Sequence, residues 1–242
     1  FHIQTLDGRR WMNGLTALGS GASLTSGLFK ARGLDRWIDK VSRETEFDAV
    51  LVYCSSMAGY ARRPSLADVP RIVDLVDVDS EKWRQYASAS GPVLRRLYER
   101  ESRLLRQEEI ALGRESEAIL LTTEAEADLY RSFAPSIEPL VMGNGVDLEY
   151  FAESVSGTEQ PCDLVFVGAL DYRPNVDGVM WFYREVWPTL RARHPSLTWN
   201  IVGRRPSADI QRMHGHAGIK VCANVPDVRP YLRGAKISVV PL

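Results

Sequence analysis

From residue 162 onward, short apolar runs alternate with helical stretches on connections of only a few residues. "CDLVFVG" reads as a strand over 163–168, and a helix is predicted over 175–193. Strand 197–203, a short helix near 207–214, strand 219–222, helix 227–234 and strand 236–240 follow. Strands that alternate with helices in this way form a parallel sheet wound with helices. The first half alternates likewise, with strands in "FDAVLVYCSS" (47–56), "PRIVDLVDV" (70–78), "SEAILLTT" (116–123) and "EPLVMGNGVD" (138–147). The fold class is therefore α/β with two Rossmann-like domains, 1–151 and 162–242. The polar stretch "AESVSGTEQP" (152–161) is the linker between them.

Several helices carry their own signals. Thr123 followed by Glu126 is a capping box that starts "EAEADLYRSF". A helix is expected around "LFKARGLDRWIDKVSRE", and the longest covers 92–114, where Leu94, Leu97, Tyr98, Leu104, Leu105 and Leu112 make an apolar face. Glu101 and Glu108 fall on that face. A buried carboxylate is costly without a partner, so they either pair with Arg95, Arg96 or Arg103 of the same helix or border a polar cleft. Pro188 should kink the helix that contains it. Trp181, Trp187 and Trp199 read as core.

The net charge of −1 gives no global pull toward nucleic acid or anionic lipid. Cys54, Cys162 and Cys222 are scattered, which argues against a disulfide framework and for a reducing, cytoplasmic location. His194, His214 and His216 have no ligand partners at fitting spacing, so they read as surface imidazoles and no metal site is expected. No apolar run approaches the ~20 residues of a membrane span. The chain opens on Phe1 and closes on a strand, "KISVVPL", so it reads as a fragment cut at both ends.

In a parallel sheet, ligands gather at the carboxyl ends of the strands, where helix N-termini present free N–H groups. Three such ends in the second half carry suggestive residues. "GALDYRPN" follows the first strand, with Gly168 at its start and Asn175 as an N-cap. "VGRRPS" follows the second, where Gly203 permits close approach and Arg204 and Arg205 can meet an anion. "ANVPDV" follows the third, with Asp227 as an N-cap. Each piece alone has a structural reading; together, on successive strand ends, they favour a phosphate-bearing ligand. Neither the dinucleotide fingerprint nor the P-loop is present.

The runs "FVGALDYRPNVDGVMWFYREVWPTL", "NIVGRRPS" and "NVPDVRPYLRGAKISVVPL" resemble the donor-binding domain of family 4 glycosyltransferases, which have the two-domain GT-B fold. "NGVDLEYF" (144–151) resembles the run before the interdomain linker of these enzymes. "DLVDVDSEKWRQYA" (74–87) is similar to the subgroup of sugar transferases associated with exosortase and exopolysaccharide gene clusters. The resemblance implies retaining transfer of a sugar from a nucleotide-diphosphate sugar to a glycan or lipid-linked acceptor, with no cofactor and no nucleic acid. It places donor binding on the loops carrying Gly168, Arg173, Asn175, Gly203, Arg204, Arg205, Val225 and Asp227, with the backbone near Val225 against the base. It offers Asp77 or Asp79 as the polar residue that contacts sugar or takes part in catalysis; the other reading is that Asp79 or Ser80 caps the next helix.

Two departures from the family pattern bear on activity. Ala169 and Pro174 stand where many relatives have the Arg and Lys that grip the diphosphate, leaving Arg173, Arg204 and Arg205 as sources of positive charge. The family's paired glutamates would lie beyond the last residue here, so this polypeptide alone is expected not to match its parent in turnover. Peripheral contact at the inner face of the membrane is implied by the family only. The alternatives are a nucleotide-sugar epimerase of the same fold, or a non-catalytic scaffold or nucleotide-binding module.

Overall fold

The computed structural model describes residues 2–6, 8, 10–152 and 159–241. The chain divides into two compact units, Phe1–Gly145 and Val146–Leu242. Most of the expected linker, residues 153–158, lies outside the described residues.

In the first unit, β1 (Val50–Tyr53), β2 (Arg71–Val76), β3 (Ala118–Leu121) and β4 (Leu140–Val141) form a parallel sheet in that order. The strands are shorter than the apolar runs that announce them. In β2 the strand stops at Val76, whose backbone turns to φ +69, and Val78 is buried as a loop residue. Val73 and Leu75 of β2 pack with Ile119 and Leu121 of β3, against Leu112 and Tyr130 from the covering helices.

Those helices are Pro92–Glu115 and Glu124–Phe133. In the second, Thr123 accepts from the Glu126 N–H as expected, but the Glu126 carboxylate that would complete the capping box accepts from the Val78 N–H at 2.7 Å instead. Two helices before residue 30, Arg10–Ser20 and Leu24–Leu28, have no counterpart in the sequence reading. They meet through small residues: a Cβ on Gly27 would crowd Ala17 and the Asn13 carbonyl, and one on Gly14 would press on Leu24 and Leu28.

The partners expected for Glu101 and Glu108 are different ones. Glu101 is buried and accepts from the N–H groups of Leu24 and Thr25, both at 2.7 Å, at the start of helix Leu24–Leu28. Glu108 pairs with Arg62 at 2.5 Å. A helix points its side chains at neighbouring elements, so arginines of the same helix were not needed.

The second unit holds β5 (Cys162–Val167), β6 (Trp199–Gly203), β7 (Ile219–Ala223) and β8 (Ala235–Ser238), all parallel, in the order β7-β6-β5-β8. The chain steps outward from β5 to β7 and then returns to the far side of β5. One face packs Leu164, Phe166, Trp199 and Ile201 against Val179, Phe182 and Trp187. The other packs Val165, Val202 and Cys222 against Tyr231 and Leu232 of helix Arg229–Gly234. Burial on both faces explains why these strands read as unbroken apolar runs.

The helix widens locally just before Pro188. Helix Arg173–Trp181 passes into a π-helical segment, Phe182–Val186, before helix Trp187–Arg193. Proline has no N–H to donate and its ring crowds the carbonyl four residues back, and a widened turn relieves both. It also brings residues five apart onto one side: Phe182 and Trp187 flank Trp199, with ring centroids 4.9 and 5.5 Å away. Trp187 and Trp199 are buried as expected, whereas Trp181 is 54% exposed because it faces away from the sheet. The helix Leu148–Ala152 belongs to this unit: Arg229 lies over the Tyr150 ring at 3.8 Å and donates to its carbonyl at 2.7 Å.

Candidate functional site

The order β7-β6-β5-β8 reverses beside β5, and the crevice outside the carboxyl ends at such a reversal is where open α/β sheets take ligands. The loops at this rim are tied to one another. The Gly168 N–H donates to Val202 O (3.0 Å), Leu170 N–H to Arg204 O (3.0 Å), Ser207 N–H to Leu170 O (3.0 Å) and Asn224 N–H to Gly203 O (2.8 Å). The Arg205 N–H donates to Asn224 Oδ1 at 3.0 Å. Gly168, Gly203 and Val225 thus sit on three neighbouring strand ends at one edge. Val225 is half-buried against Val165 and Val202.

The space beside both glycines is filled by protein. A Cβ on Gly203 would strike the Gly168 carbonyl, and one on Gly168 would lie 2.9 Å from Asn175 Nδ2. Gly203→Ala is therefore expected to cost about 1–3 kcal/mol by overpacking the junction of the β5 and β6 loops. Denaturant unfolding measures it, and an unchanged midpoint would mean that the loops separate freely.

The two expected N-caps are corrected. Helix Arg173–Trp181 starts before Asn175, with Tyr172 at the cap position and Pro174 in the first turn. Proline is favoured there because its φ is already helical and no N–H is required. Asn175 instead donates to Ala169 O at 3.0 Å and closes the loop. Helix Arg229–Gly234 starts after Asp227, with Val228 at its cap. The Asp227 carboxylate accepts from the Arg229 N–H at 2.9 Å and pairs with its guanidinium at 2.9 Å. Those bonds to Arg229 hold the Asp227 pKa below the usual carboxylate value.

The three candidate cations differ. Arg205, at φ +50, pairs with Asp171 at 2.8 Å, and Arg173 with Asp177 at 3.4 Å. Arg204 is exposed and has no ion pair among the described residues.

In the first unit, the carboxyl ends of β1 and β2 open on a cavity of about 400 Å³. Asp77, Asp79, Lys82, Cys54, Trp83, Tyr86 and Tyr53 are among its lining residues. Asp79 is the first residue of helix Asp79–Ser88, and neither it nor Ser80 caps that helix with its side chain. Asp79 accepts from the Ser55 hydroxyl at 2.7 Å, and the Ser80 hydroxyl donates to Glu109 at 2.6 Å.

Cys54, at φ +63, and Val76, at φ +69, both line the cavity in backbone conformations that such residues rarely adopt. Strain of this kind collects at functional sites. Glu109 was missed in the sequence, although it stands four residues after Leu105 and three before Leu112, on the stripe that turned out buried. Among the described residues no group of three or more His, Cys, Asp or Glu could hold a metal ion, and no helix is long and apolar enough to cross a membrane. His194, His214 and His216 are exposed, as read.

Residues 161–242 match the family model for Glycosyl transferases group 1. Among solved structures, TarM is similar at 10% identity with a TM-score of 0.57, over 85% of this chain and 38% of that one. A UDP-forming alpha,alpha-trehalose-phosphate synthase from Burkholderia xenovorans is similar at 12% identity with a TM-score of 0.56, over 97% of this chain and 65% of that one. The chain thus spans less than two thirds of either structure's length. No curated protein matches it. The chain has the GT-B fold of these two structures, and its second unit carries the group 1 glycosyl transferase match.

Proposed function

We propose that this protein takes part in glycosyl transfer: its second unit binds a nucleotide-diphosphate sugar, and the sugar passes with retention to a glycan or lipid-linked acceptor. The single observation that carries the reading is the strand-order reversal beside β5, with Gly168, Gly203 and Val225 on one rim within the matched segment 161–242. The N-terminus of helix Arg173–Trp181 lies at that rim and favours negative charge. Its dipole and Arg204 stand in for the charges missing at Ala169 and Pro174. The cavity with Asp77 and Asp79 is the side that contacts the sugar: carboxylates accept from hydroxyls, and Trp83 and Tyr86 offer apolar faces to a ring. In this reading the transfer uses no cofactor beyond the donor, and serves exopolysaccharide synthesis at the cytoplasmic face of the membrane.

Thermal-shift titration with UDP, GDP and their sugars tests the donor site. At a hundred times the dissociation constant, stabilisation of about 2.7 kcal/mol is expected from at least one ligand. Arg204→Ala should then weaken diphosphate binding by about 1.5–3 kcal/mol, the size of a charge-assisted contact. A second reading, a scaffold that has lost donor binding, is favoured by the pairing of Arg173 and Arg205 with aspartates. Silence across the nucleotide panel from folded protein would decide for it.

A further inference from the structure

Helix Asp79–Ser88 starts without a side-chain cap of its own. Carboxylates from two other helices hold its start instead. Glu126 accepts from the Val78 N–H at 2.7 Å, and Glu109 accepts from the Ser80 N–H at 2.9 Å and the Ser80 hydroxyl at 2.6 Å. Glu109 is fully buried in the middle of Pro92–Glu115. An Asn, Ser or Asp at the cap position would satisfy such donors without burying a charge, so the arrangement calls for a reason beyond helix formation.

The chain on the other side of Asp77 is fixed as firmly. Val76 is held at φ +69 by a three-residue turn in which the Asp77 N–H donates to Leu75 O at 2.8 Å. Its own N–H donates to Asp74 Oδ1 at 3.0 Å, and its carbonyl accepts from the Thr122 N–H at 3.0 Å and hydroxyl at 2.9 Å. The segment that presents Asp77 and Asp79 to the cavity is therefore clamped at both ends, by a strained turn before it and by buried Glu109 after it.

We propose that Glu109 is a positioning residue of this site: from outside the cavity it sets where Asp77 and Asp79 stand, through Ser80. The proposal rests on the reading of the cavity as the sugar-contacting side. The charged and titratable groups facing Glu109 are Asp79 from helix Asp79–Ser88, Arg106 on its own helix, and Tyr130 from Glu124–Phe133, whose hydroxyl donates to the Glu109 carbonyl at 2.8 Å. Burial lifts the Glu109 pKa to about 7 against the pull of its bonds to Ser80. The clamp consequently changes charge near neutral pH while its acceptor oxygen on the Ser80 N–H persists.

Amide NMR of the whole chain reads this without a substrate. In the unsubstituted protein the Ser80 amide should move with an inflection near pH 7, and the Asp77 and Asp79 amides should follow it. Glu109→Gln keeps the shape and removes the charge, so all three profiles should become flat over that range. Glu109→Ala removes the clamp, and exchange of the Ser80 amide should quicken at least about tenfold. If Glu109→Ala does not fold, the Gln variant decides. A Ser80 inflection that persists in Glu109→Gln, or Asp77 and Asp79 amides that ignore both substitutions, would overturn the proposal. Failure of the sugar-transfer reading would show in the nucleotide titration and leave these amides as they are.

Discussion

Trp199→Ala should lower the stability of the second unit by about 3–5 kcal/mol, the usual cost of truncating a fully buried tryptophan. Trp199 lies in β6, wholly enclosed, between strand neighbours Leu164 and Ile219 and beneath the rings of Phe182 and Trp187. Its indole N–H has no hydrogen-bond partner among the described residues, so the loss is one of packing alone. Trp181→Ala is the control. That side chain is half exposed, and its removal should stay within roughly 0.5–1 kcal/mol. Denaturant midpoints measure both. Equal effects would mean that Trp199 is not the centre of this core.

The second large effect is a pH dependence of stability. The Glu109 pKa rises from the ordinary 4.5 to about 7 because burial disfavours its charged form. The folded protein therefore holds this proton more tightly than the unfolded chain does. Its contribution is fully present below about pH 4.5 and is lost as pH rises through about 7. Over that window the loss approaches about 3 kcal/mol. The slope of unfolding free energy against pH should fall there and should flatten in Glu109→Gln. A slope of the same size in both proteins would remove Glu109 as its source.

The second unit was legible because its strands are buried on both faces and its connections are short. Each apolar run between 162 and 240 became a strand within one or two residues. The first 30 residues were not, because Gly14, Gly19 and Gly27 weaken any helical pattern, and the close approach that Gly14 and Gly27 permit is visible only once the helices meet. Helix starts misled for a similar reason. Asn175 and Asp227 are good caps by type, but Pro174 and Pro230 hold the first turns of their helices elsewhere.

Of the site, the rim of glycines and arginines could be placed from strand ends alone, while the partners of Arg173 and Arg205 could not. Asp77 and Asp79 were picked out in the sequence. What holds them was invisible there, because Ser55, Glu109 and Glu126 lie 24, 29 and 48 residues from the residues they bond and meet the loop only through folding.

The widened turn at Phe182–Val186 has a consequence for how this chain tolerates length changes. A π segment accommodates one residue more than an α-helix over the same span. Deleting a single residue there would restore an ordinary ladder without breaking the helix. Trp187 would keep facing Trp199, whereas a deletion from an ordinary α-helix rotates everything beyond it by about 100°, so a stretch that looks, in sequence, like the interior of a regular helix can lose a residue without turning the core.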